Sequence, residues 1–193
     1  MVGRLVEKKG FEYGLEAFAR VRARGVAARL TIVGDGERRA SLERHARALG
    51  VAADVRFLGS QTNEAVSQHM GRARVLLAPS VVARDGNRES GLIVVKEASA
   101  AGTVPISTRH GGIPDSIDDG TTGYLVEERD VAHMAERLER LLLDEPLRAR
   151  LAAGGRSKME REFDNRVLVA GLERIYDEAA ELGAVPDGSA GTA

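Results

Sequence analysis

The sequence predicts an α/β fold, a doubly wound Rossmann-like parallel sheet with helices on both faces. Three observations predict it. Short β-branched runs alternate with longer amphipathic stretches, glycine follows each early amphipathic stretch, and the runs are apolar enough to be buried. Strand–helix alternation of this kind builds right-handed βαβ units, whose strands pair in parallel under helical layers.

Taken in order, Met1-Val2-Gly3-Arg4 looks like the tail of a strand. Residues Arg29–Val33, Val55–Leu58, Val75–Ala78 and Val104–Ser107 read as buried strands. Between them, Phe11–Arg24, Glu37–Leu49, Thr62–Met70 and Gly91–Ala101 read as helices that stop before Gly25, Gly50, Gly71 and Gly102, the expected C′ signal. After Ser107 the rhythm changes. Asp118–Gly123 is turn material, Tyr124–Val126 a short strand, and Asp130 the N-cap of a helix through Leu143. A last helix is expected from Asn165 to Leu182. We expect one domain over residues 1–182 and a disordered tail over 183–193, which has nothing to bury. A doubly wound sheet needs its first strand at the centre, so the short start reads as a cut from a longer protein.

The chain has 193 residues, a net charge of −1 and no cysteine. No overall basic field attracts nucleic acid. Disulfide and thiolate chemistry are excluded, and a reducing compartment fits. No stretch approaches the ~20 apolar residues of a membrane span; the protein is expected to be cytoplasmic, with any peripheral membrane contact made outside this chain. Clustered arginines (Arg20, Arg22, Arg24; Arg38, Arg39, Arg44, Arg47) fall at helical spacing among alanines and acids, as on a solvated face. Of the 28 basic residues only Lys8, Lys9, Lys96 and Lys158 are lysines, and two of these are adjacent.

Open parallel sheets bind ligands at the carboxyl ends of their strands, and four loops qualify. The first holds Gly3, Arg4, Lys8, Lys9 and Gly10: a glycine that admits a ligand to the backbone, a guanidinium suited to phosphate oxygens, and a compact ammonium. The second is Gly34-Asp35-Gly36, where a tight turn and direct ligand contact are equally open readings. Asp54 falls near the place of a ribose-binding acid, but a dinucleotide fingerprint fails because its third glycine position is Arg39.

The third loop carries Glu89 and Glu97. A helix starting near Gly91 would aim its free amides, including those of Leu92 and Ile93, into the crevice as an anion site. Glu97 would lie ~9 Å along that helix, its side chain leaning back towards the amino end. Ile93, Val94, Val95 and Ala98 suggest that this helix is largely buried. A diphosphate on the amides, a ribose on one acid and a sugar on the other is a coherent arrangement.

The fourth loop, Thr108–Pro114, has paired glycines that permit close backbone approach, and a histidine, His110, with no partner acid at readable spacing. No metal site is expected: His45, His69, His110 and His133 lack ligand spacing, and Asp118-Asp119 sits in a turn. No serine lies in a GxSxG setting.

Together these blocks resemble the C-terminal domain of family-4 retaining glycosyltransferases of the GT-B fold. The resemblance rests on VGRLVEKKG, LTIVGDGERRASLERHARALG, VRFLG, VLLAPS, ESGLIVVKEASAAGTVPIST and RHGGIPDSIDDGTTGYLV, collinear over nearly the whole chain. It implies that Arg4 and Lys9 grip the donor diphosphate and offset charge on the leaving nucleotide. It implies that Glu97 binds the ribose, that Glu89 contacts the transferred sugar, that amides around Gly91–Ile93 hold the β-phosphate, and that Arg56, Phe57 and Leu58 border the base. The substrate implied is a UDP- or GDP-linked sugar, with no cofactor and no bound metal. The partner implied is an N-terminal acceptor-binding domain, absent from these residues. Ser90-Gly91-Leu92 departs from the phenylalanine and glycine that many members carry after the first glutamate. Residues Val81–Arg88 resemble those of members acting on bacterial surface polysaccharides. A nucleotide-sugar epimerase-like domain and a non-catalytic nucleotide-sugar-binding module are the alternatives, and an isolated domain is expected to be inactive in transfer.

Overall fold

A computed structural model describes residues 1–183. Its strands are β1 Leu30–Ile32, β2 Val55–Phe57, β3 Val75–Ala78, β4 Val104–Thr108 and β5 Tyr124–Val126, each within a residue of expectation at either end. β1 pairs with β2, β3 with β4, and β4 with β5, all in parallel, with Leu77 opposite Ile106 and Ile106 opposite Tyr124. The segment expected to be a strand tail behaves as one. Val2 bridges Val33 in parallel; the Met1 ammonium donates to the Thr31 carbonyl at 2.9 Å, and the Gly3 amide to the Val33 carbonyl at 3.0 Å. Burial lowers the Met1 ammonium to a pKa of about 5. Beside Met1 lies a cavity of about 480 Å³, lined by Arg29, by Leu30 and Thr31 of β1 and by Val75–Leu77 of β3, and flanked by Phe18 and Leu138.

The helices are α1 Phe11–Ala23, α2 Arg39–Ala48, α3 Asn63–Arg72, α4 Ile93–Ala100, α5 Val131–Leu143, α6 Glu145–Lys158 and α7 Asn165–Gly183. Side chains alternate across the pleat, so β3 and β5 each feed two cores. Leu77, Tyr124 and Val126 join Leu15, Phe18 and Val21 of α1 and Met134, Leu138 and Leu141 of α5. Leu76, Ala78 and Leu125 face the other way, onto Met70 of α3 and Val95 and Ala98 of α4. The strands thus form two parallel sheets, β1-β2 and β3-β4-β5, and helices cover both faces of the three-stranded one. Several starts are capped as the sequence suggests: Thr62 Oγ1 accepts from the Ala65 amide at 3.2 Å, and Asp130 Oδ1 from the His133 amide at 3.0 Å.

The sequence did not reveal α6, nor the π-helical turn Met159–Phe163 that continues it. The Gly154-Gly155 pair of α6 is a close contact: a Cβ on Gly154 would stand 2.6 Å from the Thr121 carbonyl oxygen. Lys158 anchors the end of α6. Its stem is buried, and its ammonium meets Asp118 Oδ1 at 2.6 Å and Glu162 Oε2 at 3.5 Å. Burial opposes that charge, but the two carboxylates outweigh it and raise the Lys158 pKa. Gly183 closes α7, and the tail expected to be disordered otherwise lies outside the described residues. Along α7, Leu168, Leu172, Ile175 and Tyr176 are each more than half exposed. Among the described residues no helix is long and apolar enough to cross a membrane.

Two isoleucines test this layering. Ile106 in β4 is fully buried, whereas Ile93 at the start of α4 is 74% exposed. Ile106→Ala is expected to cost about 2–5 kcal/mol and Ile93→Ala no more than about 0.5 kcal/mol. Urea denaturation of both variants measures the contrast, and equal losses would contradict the placement of the core.

Candidate functional site

The carboxyl ends of Met1–Gly3, β3, β4 and β5 converge on Glu89. Beyond Gly3 the chain makes a tight turn, with the Val6 amide donating to the Arg4 carbonyl at 2.9 Å, and then a short 3₁₀ segment, Glu7–Lys9. This turn points both lysines at one acid: Lys8 Nζ lies 3.2 Å from Glu89 Oε1, and Lys9 Nζ 3.3 Å from Glu89 Oε2. Glu89 is 8% exposed, so its charge needs partners, and the lysines supply them. The Lys9 stem lies over Gly3, where a Cβ would touch its Cε at 3.4 Å. Lys8 also donates weakly to the Arg88 carbonyl, at 3.4 Å.

The main chain of Glu89 is held as firmly as its carboxylate. His110, 4% exposed, accepts from the Glu89 amide through Nε2 at 3.0 Å. Its Nδ1 donates to Glu128 Oε1 at 2.5 Å. An amide offers a proton and no lone pair, so Nε2 must be the bare nitrogen and Nδ1 the protonated one. Glu128 Oε2 accepts from the Val82 amide at 2.9 Å and from Arg129 at 3.2 Å. Partial burial raises the Glu128 pKa, but the bonds from His110 and Val82 and the Arg129 charge outweigh it and hold the carboxyl below its ordinary value. Arg129 is the sole non-glycine residue with positive φ (63°) among the described residues. In that conformation it also donates to the Val82 carbonyl at 2.6 Å and to the Tyr13 hydroxyl at 3.2 Å.

The paired glycines of the fourth loop do admit a close neighbour, namely the Glu89–Ser90 backbone. A Cβ on Gly111 would overlap the Glu89 carbonyl oxygen, and one on Gly112 would stand 2.5 Å from the Ser90 oxygen. His110 has a partner acid after all, 18 residues on. That signal was readable: Glu128 follows the carboxyl end of a predicted strand, the same criterion that selected the other loops. Gly34 has a packing role, since a Cβ there would overlap the Gly3 carbonyl. Asp54 is spoken for by Arg22, at 2.8 Å. Arg38 and Arg39 likewise pair with Glu12 and with Asp35 and Glu43.

Helix α4 begins at Ile93, two residues after the expected start. Leu92 is 3% exposed, and its burial in the second core holds it extended (φ −115°, ψ 99°). The first helical amides, those of Ile93 and Val94, have no acceptor within the helix. Val94 lies near Lys9: Val2, Lys9, Pro79, Ser80, Leu92 and Val94 line one small pocket. The expectation of a largely buried α4 fails on its outer side. Ile93 and Glu97, four residues apart and hence on one face, are both exposed, and Glu97 has no ion-pair partner among the described residues.

Of the predicted site residues, the structure brings together Gly3, Lys9, Glu89 and Leu92, with Gly34 against Gly3. Arg4 is exposed on the turn beside them. Gly91 and Ile93 are exposed on either side of Leu92. Arg56, Phe57 and Leu58 sit at the end of β2, Arg56 exposed and Phe57 packed on the first core; no contact joins them to Glu89. The arrangement can offer cations and free amides to an anion, with a clamped carboxylate close by.

The comparisons agree with this architecture. The chain is 32% identical over 180 residues to the amylovoran biosynthesis glycosyltransferase AmsK of Erwinia amylovora, covering 93% of this chain and 44% of that protein. It thus spans less than half the length of that relative. Among solved structures it superposes on the C-terminal domain of a group 1 glycosyl transferase (LpcC) of Francisella tularensis, with a TM-score of 0.75, 21% identity and 85% of each chain covered. Anabaena HepE, solved with UDP and glucose, matches with a TM-score of 0.76 and 20% identity, over 93% of this chain and 48% of that one. These two likenesses share the fold: one Rossmann-like half of a GT-B architecture. The family described as glycosyl transferases group 1 matches residues 1–158, and the chain belongs to that family.

Proposed function

We propose that residues 1–182 form the donor-binding half of a retaining, family-4 glycosyltransferase, which holds a UDP- or GDP-linked sugar for transfer to an acceptor bound by a separate N-terminal domain. The observation that carries the proposal is Glu89, a buried carboxylate clamped between Lys8 and Lys9, with Lys9 also lining a small pocket together with Leu92 and Val94 at the start of α4. In this reading the diphosphate takes Arg4, Lys9 and the amides of Ile93 and Val94. Glu97, exposed and unpaired one turn along α4, takes the ribose hydroxyls. Arg56–Leu58 border the base, and Glu89 meets the transferred sugar. The AmsK relationship, and the UDP and glucose in the HepE structure, support a polysaccharide or glycoconjugate role and a nucleotide-sugar donor. The chemistry required is electrostatic stabilisation of a departing nucleoside diphosphate, which the lysines, the arginine and the helix amides can supply without a metal or cofactor.

The two glutamates should respond differently to neutralisation. Glu97→Gln is expected to weaken UDP or GDP and the matching nucleotide sugar alike, by roughly 10–150-fold, as for loss of hydrogen bonds to a charged group. Glu89→Gln is expected to weaken only the nucleotide sugar. The plain diphosphate should bind a few-fold better, on the order of 1 kcal/mol or less, because both lysines are released from Glu89. Titration calorimetry with UDP, GDP, UDP-glucose and GDP-mannose reads all four cases. Normal diphosphate binding by a folded Glu97→Gln variant would remove the ribose role.

Nucleotide affinity is expected to be unchanged by EDTA, and its loss in chelator would show that the charge assignment is wrong. The 193-residue chain alone is expected to transfer no sugar, since holding two reactants in register is worth roughly 7–11 kcal/mol and one half of a cleft does not provide it. Acceptor-dependent release of UDP or GDP by this chain would overturn that expectation.

A further inference from the structure

Glu89 is restrained at two ends, and the restraints differ in kind. Its carboxylate is held by Lys8 and Lys9, the cations that the donor's phosphates would draw away. Its amide is held by His110 Nε2, and the neighbouring Ser90 carbonyl accepts from the Gly112 amide at 2.9 Å. These main-chain bonds involve no group that a phosphate would compete for. We propose that His110 and Glu128 are positioning residues for Glu89: Glu128 fixes the His110 tautomer that accepts the Glu89 amide, and so keeps the carboxylate aimed when its lysine partners turn to an anion. The role in sugar binding rests on the donor-binding reading above; the clamp itself does not.

The chemistry is one-directional. The imidazole can accept from the Glu89 amide only while Nε2 carries no proton, so the ring proton must stay on Nδ1. A carboxylate opposite Nδ1 enforces this, because it can only accept. Glu128 is well placed to remain a carboxylate. The Val82 amide and Arg129 donate to its other oxygen, and its pKa lies below the ordinary value. Arg129 in turn is tied to Val82 and Tyr13. The clamp therefore joins the end of β5, the fourth loop, the residues after β3 and α1. A histidine buried merely to fill space would need neither a fixed tautomer nor an anion behind it.

Glu128→Gln separates these roles, since it keeps the shape and removes the constraint. A glutamine can donate its amide to Nδ1 and move the ring proton to Nε2, where it opposes the Glu89 N–H. In the unliganded chain, nitrogen-15 NMR is expected to find His110 with a bare Nε2 and a protonated Nδ1, and the Glu89 amide protected from exchange. Glu128→Gln is expected to reverse the two ring-nitrogen signals and speed exchange of the Glu89 amide at least about tenfold. His110→Ala should also lose that protection. His110→Gln, which can still present an acceptor, should recover part of it, and it keeps the test available if the alanine variant does not fold. Retained protection with an unchanged tautomer in Glu128→Gln would overturn the clamp.

The same variant is then titrated with UDP, GDP, UDP-glucose and GDP-mannose. Diphosphate affinity is expected to stay within about twofold of wild type, while affinity for the nucleotide sugar falls by roughly 10–20-fold, at the lower end of what a lost hydrogen bond to a charged group produces. Equal nucleotide-sugar affinity despite a lost Glu89 clamp would overturn the positioning role. A wild-type chain that binds none of the four nucleotides would instead refute the donor-binding reading and with it the role in sugar binding, while the exchange measurement still decides the clamp.

Discussion

The Glu89–Ser90 backbone lies against Gly111 and Gly112 at a separation that no side chain would permit. That contact fixes the approach of two loops that are distant in sequence, one leading into α4 and the other following β4. Once they meet, the His110 ring reaches the Glu89 amide, the Gly112 amide reaches the Ser90 carbonyl, and Glu89 turns its carboxylate towards Lys8 and Lys9. A methyl group on either glycine would push the loops apart by more than a hydrogen bond tolerates, since such bonds weaken steeply beyond about 3.2 Å. The ordering of the site therefore depends first on an absence of bulk, and only then on charge.

Strands were the most legible feature of the sequence, because burial on both faces demands apolar runs whatever the ligand. Leu76, Leu77 and Ala78 illustrate this: alternate residues serve opposite cores, so none of the three can be polar. Helix α6 was hidden because its two glycines and weakly amphipathic pattern follow its contact with Thr121 and Thr122, a tertiary demand with no local signature. The start of α4 was misplaced for a similar reason. Leu92 is claimed by the second core and held extended, and that burial overrides its ordinary willingness to begin a helix.

Within the site, residue types at strand ends singled out Glu89 and Lys9, which the structure joins through an ion pair. The sequence could not show that Lys8 shares that acid, because nothing local marks that the 3₁₀ segment Glu7–Lys9 brings two adjacent lysines to the two oxygens of one carboxylate. Nor could it show that Gly34 answers to Gly3, a contact between backbones with no chemistry to advertise it. Glu97 illustrates the opposite error. Its apolar neighbours in sequence suggested burial, but with Ile93 it occupies the outward side of α4, which a one-dimensional reading cannot distinguish from the inward side.

The pairing of both lysines with one buried acid also governs how an anion would arrive. Two free ammonium groups in a low-dielectric recess would project a strong positive field and draw anions in from a distance; Glu89 cancels one of the two charges before any ligand is present. With Arg4 exposed to screening solvent, the remaining field decays within a Debye length of about 8 Å at physiological ionic strength. Capture would then depend on diffusion and orientation more than on steering, with only a shallow dependence on salt. Differences in affinity among anions at this site would be expressed in how slowly each one leaves.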